Sequence, residues 1–371
     1  MSVNERYVYL DYNATAPLLD KVKAAMSRAL ELYGNPSSVH RAGREARAAI
    51  EDAREAVAAA VGARPADVIW TSGGTEANAL ALSGLVPGAP VWTSAIEHPS
   101  VGALSDPSRT FPVTSDGYVD LTALETAVAA LEPPFIVSLM LVNNETGVVQ
   151  PVQDAARIVK ARGGTVHCDT VQALGRLPID MGELGVDAVS VSAHKLGGPK
   201  GVGALVLAPS VKISPLIRGG GQERGRRGGT ENTIGIVGFG AAVNEIGRLI
   251  ADQPRIANLR DDLERWIVAN MPAAMMHGRG AARVANTACV SVAGCSSETQ
   301  LIALDLAGVA VSSGSACSSG KVADSHVLKA MGIGAEHRKG ALRISLGHAT
   351  SERDLEKLQS AWLPVVAARA A

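Results

Sequence analysis

Apolar positions along the chain fall into two alternating spacings. Over residues 41–63 they recur every three to four positions, at Ala46, Ala49, Ile50, Ala53, Val57, Ala60 and Val61, with charged residues between them. This spacing predicts an amphipathic helix. Residues 67–71 form a short apolar run closed by Gly73-Gly74, the pattern of a buried strand ending in a tight turn. Helices are expected again over 75–85, 121–131 and 152–161. Strands are expected over 90–94, 135–142, 165–168, 187–192 and 203–207. Short apolar strands that alternate with helices predict an α/β unit whose mostly parallel sheet is covered on both faces.

After about Asp252 the pattern changes. Longer helices are expected over 255–270 and 298–307, and more clearly alternating strands over 286–292 and 341–346. A last helix is expected to start near Thr350 as its N-cap, with Glu352 in the first turn. The division this suggests is a large α/β domain over 16–252 and a smaller α+β domain made of 1–15 and 253–371.

Composition narrows the function classes. The 371 residues carry 35 Lys and Arg against 36 Asp and Glu, a net charge of −1. That balance argues against broad phosphate attraction, and 3% aromatic residues argue against base-stacking surfaces, so no direct nucleic-acid partner is expected. The longest uncharged stretch, 77–96, is broken by Gly84, Pro87, Gly88 and Pro90 and reads as helix, loop and strand rather than a membrane span. Residues 1–11 carry Glu5, Arg6 and Asp11 and lack the apolar run of a secretory signal, so a cytoplasmic location is expected. The cysteines Cys168, Cys289, Cys295 and Cys317 show no CxxC spacing, so neither a zinc site nor any other metal site is indicated.

Candidate chemistry gathers at the strand ends. Ser192-Ala193-His194-Lys195 follows a buried strand and precedes a Gly-rich loop. Desolvation there would lower the lysine pKa and make Lys195 a Schiff-base amine; alone, it reads as well as a solvated loop lysine. Gly74 and Thr75 open a helix after a strand and could hold a phosphate. Asp169 ends a strand at the edge where ligands sit in parallel sheets, with Gln172 three residues on. It could pair with a pyridinium nitrogen or simply cap a turn. His98 follows another strand and could stack on a ring or belong to a loop. Taken together and in order, these residues fit a pyridoxal-phosphate (PLP) enzyme.

The chain resembles cysteine desulfurases of the NifS/IscS type, in the class-V aminotransferase group of PLP fold type I. The likeness is carried by residues 9–17, 34–38, 71–78, 97–98, 142–147, 167–172, 192–195, 219–225, 228–232, 312–317 and 342–347. It implies that Lys195 holds the cofactor covalently and moves the substrate α-proton. It implies that Gly74, Thr75, Ser192 and His194 bind the phosphate, and that Thr230 of the partner subunit in a homodimer completes that site. His98 would stack on the ring and act as an acid/base, and Asp169 would bind the ring nitrogen. Gln172 would bind the phenolic oxygen, with Asn144 near that oxygen and the substrate. Arg343 would grip the substrate carboxylate. Cys317, among Gly, Ser and Ala in a loop, would be the nucleophile that takes the substrate sulfur as a persulfide, while the other three cysteines fit buried apolar strands. The resemblance further implies L-cysteine as substrate and an iron–sulfur scaffold or other sulfur acceptor as partner. A selenocysteine lyase, another class-V aminotransferase and a non-catalytic sulfur-relay subunit remain as alternatives. Two departures stand out: Thr170 and Val171 fill the positions between Asp169 and Gln172, and the chain ends soon after its last helix.

Overall fold

The structure, a computed structural model, describes residues 7–314 and 324–370. Seven strands make the larger sheet, in the order Val68–Thr71, Gly203–Leu207, Ala188–Ser192, Thr165–Asp169, Ile136–Met140, Val91–Ser94 and Thr110–Phe111. Neighbours are parallel except for Gly203–Leu207, which runs against both strands beside it. The mostly parallel sheet is therefore as expected. Ile136–Met140 and Ala188–Ser192 are buried at every position, which is why they appear in the sequence as unbroken apolar or small-residue runs.

Helices cover the sheet. Helix Arg41–Ala60 buries Ala46, Ile50, Ala53 and Val57, the stripe its spacing predicts. It crosses helix Thr233–Val243 so closely that a Cβ on Gly240 would lie 2.7 Å from the Ala53 Cβ. That second helix has no amphipathic signal: seven of its eleven residues are buried, so apolar side chains occupy every side and no period marks it.

A second sheet is antiparallel, in the order Ser312–Ser313, Ala341–Ser345, Thr287–Val292 and Ala274–His277. Its core is separate from the first. Leu263 and Ile267 of helix Gln253–Asn270, and Leu358 and Trp362 of helix Glu352–Ala370, pack on Val290, Leu342 and Ile344. The N-terminal segment joins this core through Val8 and Leu10, and Val8–Tyr9 pairs in parallel with Val309–Ala310. The buried Trp362 indole donates to Gln300 Oε1 at 2.8 Å, so its one polar atom is satisfied.

Several boundaries differ from the sequence reading. The first strand of the large sheet begins at Val68, because Pro65–Asp67 form a turn of 3₁₀ helix. The last helix is preceded by Ser351, not capped by Thr350. The Ser351 amide and hydroxyl both bond Asp354 Oδ2, whereas the Thr350 hydroxyl accepts from the Gly347 amide. Residues 77–96 hold the end of helix Gly74–Gly84 and the strand Val91–Ser94. Among the described residues no helix is long and apolar enough to cross a membrane.

Candidate active site

The carboxyl ends of the parallel strands open on a cavity of about 350 Å³. Strand Thr165–Asp169 delivers Asp169 to its rim. Strand Ala188–Ser192 delivers Ser192 and then a 3₁₀ turn, Ala193–Lys195, whose tight pitch brings His194 and Lys195 to the same opening. Helix Gly74–Gly84 points its first turn at the cavity. Gly74 is needed there, since a Cβ would lie 2.8 Å from Val171 Cγ2. Ten of the twelve residues singled out in the sequence line this one space: Gly74, Thr75, His98, Asn144, Asp169, Gln172, Ser192, His194, Lys195 and Arg343. Thr230 is exposed and does not line the cavity of its own chain. Cys317 lies outside the described residues.

Lys195 Nζ donates to the carbonyls of Asn13 and Ala14, at 2.6 and 2.8 Å. The N-terminal segment thus closes the lysine side of the cavity. Asp169 caps the turn that follows its strand and also faces the cavity. Its Oδ1 accepts the Val171 amide at 2.9 Å, capping the turn, while Oδ2 accepts Asn78 Nδ2 at 2.7 Å. Asn78 also donates to Ser100 Oγ at 2.9 Å, and Ser100 lies 2.7 Å from His98 Nδ1. The Ser100 amide donates to the same Nδ1 at 3.1 Å. That bond makes Nδ1 the acceptor and leaves the ring proton on Nε2. Burial holds the His98 pKa below its ordinary value; the Asp169 charge works against this, and Lys195 and His326 add to it. His194 is pushed down to about 4, mainly by burial and then by Lys195 and Lys200. Both imidazoles are therefore neutral at pH 7.

Arg343 reaches the cavity from the second sheet. Nη2 pairs with Asp11 Oδ1 at 2.9 Å and Nη1 donates to the Asn144 carbonyl at 3.1 Å, while Nε is buried without a partner. The site is thus built from both sheets at once.

Three contributors escaped the sequence reading: Asn13, Asn78 and Ser100. Asn78 carried one signal, its position one helical turn beyond Gly74 and so on the same face. The Gly- and Arg-rich loop before Thr230 is largely exposed but anchored through three side chains. Glu223 is buried and bidentate with Arg54 at 2.7 and 2.8 Å, and Arg227 is bidentate with Glu76 at 2.8 and 3.1 Å. Arg226 donates to the Ala66 and Val68 carbonyls. The other cysteines in the described residues, Cys168, Cys289 and Cys295, are buried, and burial pushes the Cys168 and Cys289 thiols up. They fit the reading of small core residues.

A strand-end lysine, a strand-end carboxylate and a helix N-terminus around one cavity define the fold type I class of transferases. The chain belongs to the aminotransferase class-V family, whose profile matches residues 8–358. It is 42% identical to a protein of Dictyoglomus turgidum named cysteine desulfurase IscS, over 95% of this chain and 92% of that one. It is also 42% identical to a cysteine desulfurase of Cereibacter sphaeroides, over 97% of this chain and 95% of that one. Among solved structures, the NifS-like protein from Rickettsia africae superposes with a TM-score of 0.90 at 34% identity, covering 97% of this chain and 99% of that one.

Proposed function

We propose that this protein is a PLP-dependent cysteine desulfurase that converts L-cysteine to L-alanine and passes the sulfur on through Cys317. The observation that carries the reading is the convergence of Lys195, Asp169, His98 and Arg343 on one cavity. The division into 16–252 on one side and 1–15 with 253–371 on the other goes with it, and membership of Val8 and Leu10 in the second core supports that division.

The residues present fit PLP. Asp169 is placed for a ring nitrogen, and buried Asn78 Oδ1 still lacks a donor. The first turn of helix Gly74–Gly84, with Thr75, Ser192 and neutral His194 beside it, offers donors to a phosphate. Glu76 in that turn is neutralised by Arg227 rather than opposing an anion. About 350 Å³ falls within the range of cofactor pockets. When bound, PLP supplies an electron-withdrawing ring that labilises bonds at the substrate α- and β-carbons. Lys195 would hold the cofactor and take and return a proton at the substrate α-carbon. Gln172 and Asn144 would steady the ring from its oxygen side. His98, with Nε2 protonated and Nδ1 locked by Ser100, would stack on the ring and serve as an acid/base. Arg343 would bind the substrate carboxylate through its guanidinium, whose Nε awaits an acceptor.

The Cys317 thiolate would attack the substrate sulfur. The S–S bond forms as the Cβ–S bond breaks, so the sulfur is oxidised to the persulfide level and the β-carbon is reduced to the methyl group of alanine. A sulfur-acceptor protein, such as an iron–sulfur scaffold, then takes the persulfide sulfur. Thr230 of a partner subunit would complete the phosphate site of a homodimer, and its exposure supports that role. The cytoplasm suits a free thiolate.

The test is a PLP-loaded preparation given L-cysteine and a thiol reductant, with alanine and sulfide quantified. Equal amounts from the wild type, and almost none from Cys317→Ser with PLP still bound, would support the assignment. Unchanged turnover in the variant would remove Cys317 from the mechanism.

A further inference from the structure

Arg176 is buried, and among the described residues no carboxylate pairs with it. An unpaired guanidinium in a protein interior is costly, so its surroundings must hold it for a reason. Burial and the nearby Arg343 charge push its pKa down to about 9, which still leaves it charged at pH 7. Both of its hydrogen bonds go to one residue. Nη1 donates to the Gln172 carbonyl at 3.1 Å and to Gln172 Oε1 at 2.5 Å.

The other end of that amide is equally constrained. Gln172 Nε2 donates to the Asn13 carbonyl at 3.0 Å, and the same carbonyl accepts Lys195 Nζ at 2.6 Å. A Gln amide can be turned over with almost no change in shape, so its neighbours decide which end faces the cavity. Arg176 has only donors and the Asn13 carbonyl only accepts. One orientation satisfies both, with Oε1 on Arg176 and the amide nitrogen toward Asn13 and the lysine.

We propose that Arg176 is a positioning residue of this site: its guanidinium fixes the Gln172 amide with the nitrogen toward the cavity. The inference rests on the PLP reading above. Arg176 acts through Gln172 and lies behind it; it is Gln172 that lines the cavity where Lys195, Asp169 and His98 meet.

The experiment follows the visible absorption of PLP-loaded protein against pH, for wild type, Arg176→Met, Arg176→Lys, Gln172→Ala and the Gln172→Ala/Arg176→Met double variant. Without the guanidinium the Gln172 amide is free to turn, its nitrogen no longer favours the deprotonated chromophore, and the protonated form gains. The Met variant is expected to move the midpoint upward by on the order of half a pH unit, with Lys staying near wild type. In the Gln172→Ala background the Met substitution is expected to add little, because the two residues act as one unit. A Met variant that only melts earlier and titrates like wild type would overturn the proposal, as would a shift that persists in full without Gln172. Arg176→Leu, which likewise has no donor, carries the same criterion if the Met variant does not fold. A wild type that takes up no PLP, or in which borohydride does not fix PLP to Lys195, would instead count against the function itself.

Discussion

Asn78 Nδ2 lies 2.7 Å from Asp169 Oδ2 and 2.9 Å from Ser100 Oγ, so one amide ties the carboxylate at a strand end to the loop that carries His98. It links two cavity residues that the sequence keeps 71 positions apart, from 98 to 169. A hydrogen bond to a charged group is worth about 1.5–3 kcal/mol. Asn78→Ala is therefore expected to weaken PLP binding by roughly tenfold to a hundredfold. Fluorescence titration of the apoprotein measures it. An unchanged dissociation constant would mean that Asp169 needs no such support.

Lys195 is half-buried, and its amine donates to the Asn13 and Ala14 carbonyls. Lys195→Ala removes those two bonds, and thermal melting reads what they contribute to the fold. If Lys195 moves the α-proton, alanine formation should fall by about 10²- to 10⁴-fold, the range for a lost general base. Initial rates with L-cysteine, read beside thermal melting, separate the two effects. A variant that retains more than a tenth of the rate would assign the proton transfer elsewhere.

Most of the site was legible because strand ends write themselves into sequence. Ser192 and Asp169 each close a run of buried residues, and the residues that follow are forced to the sheet edge. Side chains that act from elsewhere left no such mark. Asn13 meets Lys195 across 182 positions through its carbonyl, a contact that no side-chain pattern encodes. The reversed direction of Gly203–Leu207 was equally silent, since a strand buried on both faces looks the same whichever way it runs. The anchoring of the loop before Thr230 was silent too, because Arg and Gly dominate its composition. The partners of its Glu223 and Arg227, Arg54 and Glu76, lie far upstream.

That loop depends on a buried ion pair. Glu223 accepts both arms of Arg54 and, through Oε2, the Trp70 amide at 3.0 Å. Arg54 also lies over the Trp70 ring, 5.5 Å from its centroid. Without Glu223 the buried Arg54 keeps only Glu51, a partly exposed partner 3.1 Å from its Nε, and the Trp70 amide loses the Glu223 acceptor. Glu223→Ala is expected to cost about 3–5 kcal/mol of stability. Urea unfolding of the two proteins tests this. A loss below 1 kcal/mol, on the scale of a surface pair, would mean that water reaches Arg54 once the carboxylate is gone.

Glu97 precedes His98, and burial lifts its carboxyl from 4.5 to about 8, with the Asp169 charge adding to the effect. Ser94 and the Met140 amide both donate to Oε1, while Oε2 has no partner. That arrangement suits a neutral acid. The sign of the stability effect follows. The folded protein keeps this proton up to about pH 8, whereas the unfolded chain releases it near 4.5. Folding therefore takes up a proton between those values, and the stability from this group falls as pH rises through the window. Glu97→Gln keeps the Oε1 acceptor and has no proton to lose. Its melting temperature relative to wild type should be level near pH 4.5 and should climb steadily toward pH 8. Glu145, which burial likewise raises to about 7, titrates in both proteins and cancels from the difference. Paired melting curves at intervals across that range give the result. A difference that stays flat with pH would show that Glu97 is ionised in the folded protein and that a cation or water has reached Oε2.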